Sequence, residues 1–282
     1  APAVRQGDPK VADVSAGTGK SAVDNDEDAI IDDRVSTEAS AQPAKLAPAF
    51  TGPDAELLEN IRTTERLRRE AMAAQKLAAD GDGAPVMFPK ENFSNGCVST
   101  VDVIYPAAPV FLLLNTKLLA AQMKPVMDYA VAGRWKWPFA PHDLGTYPLA
   151  NGQVYGGGEK TEENQMPVEE SANMILLMGA MAKKDGNAGF AQKYWPAVTK
   201  WAEYLAEKGL DPENQLCTDD FAGHLAHNVN LSAKAILALG AYSQLCGATQ
   251  RPDDAGKYRD MAKGMAEKWV KMAEDGGHYR LA

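Results

Sequence analysis

The chain repeats itself at an offset of 61 residues. Ser171-Ala-Asn-Met-Ile-Leu-Leu-Met-Gly-Ala-Met181 aligns without gaps on Ser232-Ala-Lys-Ala-Ile-Leu-Ala-Leu-Gly-Ala-Tyr242, with six of eleven positions identical. Both copies are apolar almost all the way round, a pattern a helix tolerates only when protein surrounds it. Each copy runs into a Gly-containing turn (184–187 and 247–250) and then a segment with a one-sided stripe. The stripe is Trp195, Val198, Trp201 and Leu205 in the first copy, and Tyr258, Met261, Met265, Trp269 and Met272 in the second. Those spacings are helical. The order predicts an all-α fold of helical hairpins packed side by side. Segments 167–183 and 230–246 are expected inside, and 188–208 and 252–275 outside.

At 45% hydrophobic content, 282 residues are ample for a core. A net charge of -9 argues against a nucleic-acid surface. Arg66-Leu-Arg-Arg69 reads as a solvated helix face. No apolar run approaches the ~18 residues of a bilayer span; Val110-Phe-Leu-Leu-Leu114 reads as core. Cys97, Cys217 and Cys246 fit neither a disulfide framework nor a zinc spacing, and nothing calls for a cofactor or metal. The pattern carries no signal of oligomeric state.

Residues 1–50 contain no aromatic before Phe50 and bury too little to offset ordering entropy, so an acidic, linker-like disordered segment is expected there. Asp24-Asn-Asp-Glu-Asp28 lacks the Gly and closing Glu of a calcium loop. Residues 51–282 form the expected folded part. Pro53 to Ala79 reads as a helix stopped by Asp80-Gly-Asp-Gly83, Thr100 to Tyr105 as a short extended segment ended by Pro106, and 107–114 and 118–132 as helices, the second passing through Pro125. The chain starts at Ala1 without an apolar leader, and its last residues carry no sign of a finished domain, so a fragment is expected.

Two long loops, 138–166 and 209–230, each enter the start of a buried helix and so emerge on one rim. Loops of that length inside a compact domain are usually functional. The first carries His142 and Asp143 and closes on Met166-Pro-Val-Glu169-Glu170. Those two acids either favour the helix dipole or face the cavity mouth. The second carries Asp219 and Asp220, either an acid/base pair or turn and cap residues. His224 and His227 are spaced i, i+3 without an accompanying zinc motif and read as structural rather than metal-binding. Trp137, Tyr147, Asn151, Phe221 and His224 are the candidate substrate contacts. The aromatics among them serve equally well as packing. A rim of aromatics and carboxylates suits a polar organic substrate such as an amino acid or a sugar.

Lys90-Glu-Asn-Phe-Ser-Asn-Gly-Cys97, Thr100-Val-Asp-Val-Ile-Tyr-Pro106, Pro141-His-Asp-Leu-Gly-Thr-Tyr-Pro-Leu-Ala-Asn-Gly152, Met166-Pro-Val-Glu-Glu170 and Gln215-Leu-Cys-Thr-Asp-Asp-Phe-Ala-Gly-His-Leu225 resemble the central and six-hairpin regions of the glutaminase A family. The resemblance runs from about Leu67 to the end. It implies an (α/α)6 toroid, of which this chain supplies about half, hydrolysis of L-glutamine to L-glutamate and ammonia, and a periplasmic or extracellular location. The β-rich region expected upstream is absent. Glycoside hydrolysis of the six-hairpin type, and a non-catalytic helical binding module, are the competing readings. On the glutaminase reading, Asp219 or Asp220 protonates the leaving nitrogen. Glu169 or Asp143 activates water, and His142 orients one of them.

Overall fold

The structure, a computed structural model, describes residues 77–282 other than 82, 92–94 and 219–221. All of them belong to a unit spanning Glu56–Ala282. The expectations for residues 1–50, for the helix up to residue 76, for Arg66–Arg69, and for Asp219, Asp220 and Phe221 lie outside the described residues.

The described residues form three consecutive helical hairpins with two small β-hairpins. β1 (Leu77–Ala79) pairs antiparallel with β2 (Pro85–Met87). The first helical hairpin is α1 (Val101–Leu114) and α2 (Thr116–Val131), the second α3 (Pro167–Asp185) with α4 (Gly189–Lys193) and α5 (Trp195–Lys208), and the third α6 (Val229–Ala248) and α7 (Pro252–Ala273). β3 (Glu274–Asp275) and β4 (His278–Tyr279) close the described chain. No described helix is long and apolar enough to cross a membrane.

The ends of α3 and α6 follow from local chemistry. Pro167 opens α3, where a missing N–H costs nothing, and Gly186, at φ 68, closes it in the left-handed conformation. Asn228 caps α6, its side chain accepting from the N–H groups of Asn230 and Leu231. Every residue of α3 from Val168 to Ile175 is buried. From the outer helices, Trp201, Leu205, Tyr258 and Met265 are buried against the same core, with Met261 and Trp269 packed at its edge. Met272, at the end of the expected stripe, is instead 48% exposed.

The inner helices α1, α3 and α6 run parallel. A Cβ on Gly179 of α3 would lie 3.0 Å from that of Ala241 of α6, which shows how closely their middles approach. Near their starts, Glu169 pairs with Lys234 at 2.6 Å. At the other end, Thr116, just past α1, donates to Asp185 at the end of α3 at 2.8 Å. All three N-termini therefore open on one rim.

Several expectations are corrected. Residues 77–79 end no helix: Asp80 accepts the Ala84 N–H at 2.8 Å, Gly83 takes φ 79, and the resulting turn folds them into a strand. Thr100–Tyr105 is not extended, because α1 begins at Val101 and continues through Pro106 and Pro109. Both prolines are exposed, so water can reach the carbonyls they leave without a donor. Val110, Leu113 and Leu114 are more than half exposed, since the buried face of α1 is Val101, Ile104 and Ala108. The outer segment 188–208 is broken at Tyr194, where Pro196 cannot donate to the preceding turn.

Candidate functional site

The first long loop is held by buried polar side chains. Gln153 accepts the His142 N–H at 2.7 Å, while its amide donates to Gln165 at 2.6 Å and to the Tyr155 carbonyl at 3.0 Å. Gly145 sits at φ 138, and a Cβ there would lie 2.4 Å from the Leu149 carbonyl oxygen, so glycine is required. Asp143 is fully buried and accepts from the N–H groups of Gly145 (2.8 Å), Val154 (3.1 Å) and Tyr155 (3.1 Å). Its Oδ2 also lies 3.1 Å from His142 Nδ1.

His142 stands at the centre of the rim. Its ring stacks on Tyr155 with centroids 4.0 Å apart, and its Nε2 lies 3.7 Å from Asp102 Oδ2 on the first turn of α1. Burial opposes a charge on the imidazole, but contact with Asp102 and Asp143 outweighs it and raises its pKa to about 10. The ring is an imidazolium at neutral pH.

Glu169 and Glu170 face different neighbours. Glu170 is fully buried and Asn173 donates to its Oε2 at 3.3 Å, while Oε1 has no hydrogen-bond partner. Burial, and then the charge of Asp102, push its carboxyl well above the usual carboxylate range. Glu169, 2% exposed, accepts the N–H of Thr218 at 2.7 Å, the Thr218 hydroxyl at 2.8 Å and the Lys234 ammonium at 2.6 Å. The same ammonium sits 4.7 Å over the ring of Tyr105 on α1. Asp102 and Tyr105, Glu169 and Glu170, and Lys234 thus come from the first two turns of three parallel helices.

Of the candidates singled out in the sequence, His142, Asp143, Glu169 and Glu170 meet on this rim. Asp219, Asp220 and Phe221 lie outside the described residues; Thr218, immediately before them, is fixed by Glu169. Trp137 is half-buried elsewhere, donating to the Gly158 carbonyl at 3.2 Å and stacking on Phe139 at 6.4 Å, while Lys200 of α5 donates to its carbonyl. Tyr147 is 41% exposed, with Lys90 5.8 Å from its ring centroid. Asn151 is exposed, its carbonyl accepting from Arg134. His224 is exposed as well. Sequence reasoning missed Asp102, Tyr105, Thr218 and Lys234. An acid two residues after Thr100, in the first turn of α1, was the signal for Asp102.

Among the described residues, two sets of three ligand-type side chains bring donor atoms within 4.8 Å of one another, Cys97 with His142 and Asp143, and Glu91 with Asp102 and His142. Both share His142, whose Nδ1 faces Asp143 and whose Nε2 faces Asp102. The Cys97 thiol is pushed up to about 12 by burial and by Asp143, so it keeps its proton. The chemistry of both sets is that of an ion-paired network. A cavity of about 360 Å³, lined among others by Leu210, Asp211, His227, Trp269 and Arg280, shares no residue with this network. Its one ion pair, Asp211 with His227, is exposed on both sides. The buried acids Asp143, Glu169 and Glu170 and the buried His142 gather at the helix starts instead, which makes that rim the stronger candidate.

Comparison with known proteins agrees with the helical-hairpin fold. A family model described as the glutaminase A six helical-hairpin domain matches residues 62–282. A protein of Aspergillus oryzae named glutaminase A is 37% identical over 217 residues, 77% of this chain and 31% of that protein. A protein of Arthroderma benhamiae named as a probable glutaminase is 27% identical over 273 residues, covering 76% of this chain and 31% of that protein. The chain therefore spans about a third of the length of these relatives.

Proposed function

This chain belongs to the glutaminase A six helical-hairpin family, and from that premise we propose that it carries the reaction site of a hydrolase converting L-glutamine to L-glutamate and ammonia. The observation that carries the proposal is the convergence of Asp102, His142, Glu169, Glu170 and Lys234 on one rim. Keeping so many ionisable groups buried is costly, and such clusters concentrate where protonation states are put to use. In this reading the three hairpins are an arc of an (α/α)6 ring, and the rim where the inner helices start is its mouth.

Amide hydrolysis has two requirements. The nitrogen leaves poorly unless protonated, and neutral water attacks poorly unless a base removes its proton; each role is worth ~10²–10⁴-fold. Asp219 or Asp220, which follow Thr218 in the sequence, supplies the proton. The base comes from the carboxylates around His142. Glu169 is the anchor of Thr218 and Asp143 the support of His142, because hydrogen bonds already occupy both. The three helix N-termini add positive potential where negative charge develops on the carbonyl oxygen.

The test is a substrate panel. Purified protein incubated with L-glutamine is expected to release ammonia and L-glutamate in equal amounts and to leave aryl glycosides intact. Glycoside cleavage without ammonia release would move the function to glycoside hydrolysis. Turnover of neither, with amino acid or sugar still bound, would leave a helical binding module.

A further inference from the structure

We propose that Asp102 is the carboxylate that activates water, and that His142, Asp143 and Glu170 are positioning residues that hold it ready. The inference rests on the glutaminase reading above and adds a residue to it. Asp143 has no accessible surface and four polar neighbours. Glu169 is enclosed by Thr218 and Lys234. Glu170 has no accessible surface either. Asp102 differs from all three. Its side chain keeps 16% of its surface, its Oδ2 faces the imidazole, and its Oδ1 is buried without a hydrogen-bond partner. Of these four acids it is the one whose side chain keeps appreciable surface for water to reach, and the imidazole fixes its orientation.

The surroundings explain how it stays competent. The His142 imidazolium, backed by Asp143, balances the negative charge of Asp102. Glu170 is fully buried on the neighbouring helix, and that burial disfavours a second negative charge there. Glu91, whose carboxylate lies within 4.8 Å of Asp102 and His142, adds negative potential from the loop side. In the reaction, Asp102 takes a proton from water as the oxygen bonds to the amide carbon. The C–N bond then breaks, and the acid from the Asp219–Asp220 loop protonates the departing nitrogen. The proton on Asp102 afterwards returns through water to that acid, which restores both groups.

The experiment compares wild type, Asp102→Asn and Asp102→Glu by ammonia release, by Tm, and by titration of the His142 ring followed by nitrogen NMR. Asp102→Asn is expected to lose at least ~100-fold in kcat with KM little changed. Its Tm is expected to fall, because the His142 imidazolium loses one of its two anionic partners, so kcat is read per folded molecule. Asp102→Glu keeps the charge, and its displaced carboxylate should also lower kcat without lowering Tm. A purely structural role predicts kcat per folded molecule intact in both variants whatever the Tm, and that result overturns the proposal. If wild type releases no ammonia from glutamine, the glutaminase reading fails by itself. The placement of Asp102 is then judged by the His142 titration, expected at lower pH in Asp102→Asn; an unchanged titration overturns it.

Discussion

Replacing Asp219 or Asp220 by Asn lowers kcat for glutamine hydrolysis by at least ~10²-fold and leaves Tm nearly unchanged. The expectation follows from where the chain is fixed. Glu169 grips both the N–H and the hydroxyl of Thr218, the residue that precedes the pair in the sequence. The competing role was that of a helix cap, which would cost ~0.5–2 kcal/mol of stability on removal. The cap of α6, however, is Asn228, which receives the N–H groups of Asn230 and Leu231 at 3.0 and 3.1 Å. A drop in kcat for only one of the two variants identifies the acid. Unchanged kcat in both, measured per folded molecule, ends the case for this pair.

Glu169→Ala has a large effect of the opposite kind. Three explanations of Glu169 give three different outcomes. A first-turn acid interacting only with the helix dipole is worth ~0.3–1 kcal/mol. A water-activating carboxylate would leave stability alone and cost turnover. An anchor, when removed, strands the Lys234 ammonium and the Thr218 N–H, and breaking a buried pair from one side costs ~3–5 kcal/mol. Lys234 keeps 15% of its surface and can recruit some water, which favours the lower end of that range. At ~2–4 °C per kcal/mol for a unit of this size, thermal unfolding should show a fall in Tm of ~6–12 °C. The Glu169→Gln/Lys234→Met double variant, which removes both charges, should recover more than half of it. A Tm within ~2 °C of wild type for Glu169→Ala would return Glu169 to the other two roles.

The hairpins were legible in the sequence because their signals are local. Pro167, Gly186, Asn228 and Pro252 punctuate the inner and outer helices, and the stripe from Trp195 to Leu205 shows which face packs. α1 was harder to read, since Pro106 and Pro109 look like terminators until the solvent-facing side of the helix is known. Losing α1 as a helix from Val101 also hid Asp102. An acid in an extended segment has no special standing, and its partner His142 lies forty residues away. Lys234 was hidden differently, as one charged position in an otherwise apolar segment. Its reason for being there is Glu169 on the neighbouring helix. The rim itself was legible, because two loops entering parallel helices must share an end. Which carboxylates lie open and which lie enclosed was not, because that depends on the N–H groups of 145, 154, 155 and 218 folding back onto them.

Locating the product tests the account most directly. A crystal of the protein soaked in L-glutamate should show the ligand at the starts of α1, α3 and α6. Its side-chain carboxylate is expected within hydrogen-bonding reach, ~2.6–3.2 Å directly or through one water, of Asp102. Glutamate seated instead in the cavity between Leu210, Trp269 and Arg280, with the rim at Asp102 and Lys234 empty, would contradict the placement of the reaction site.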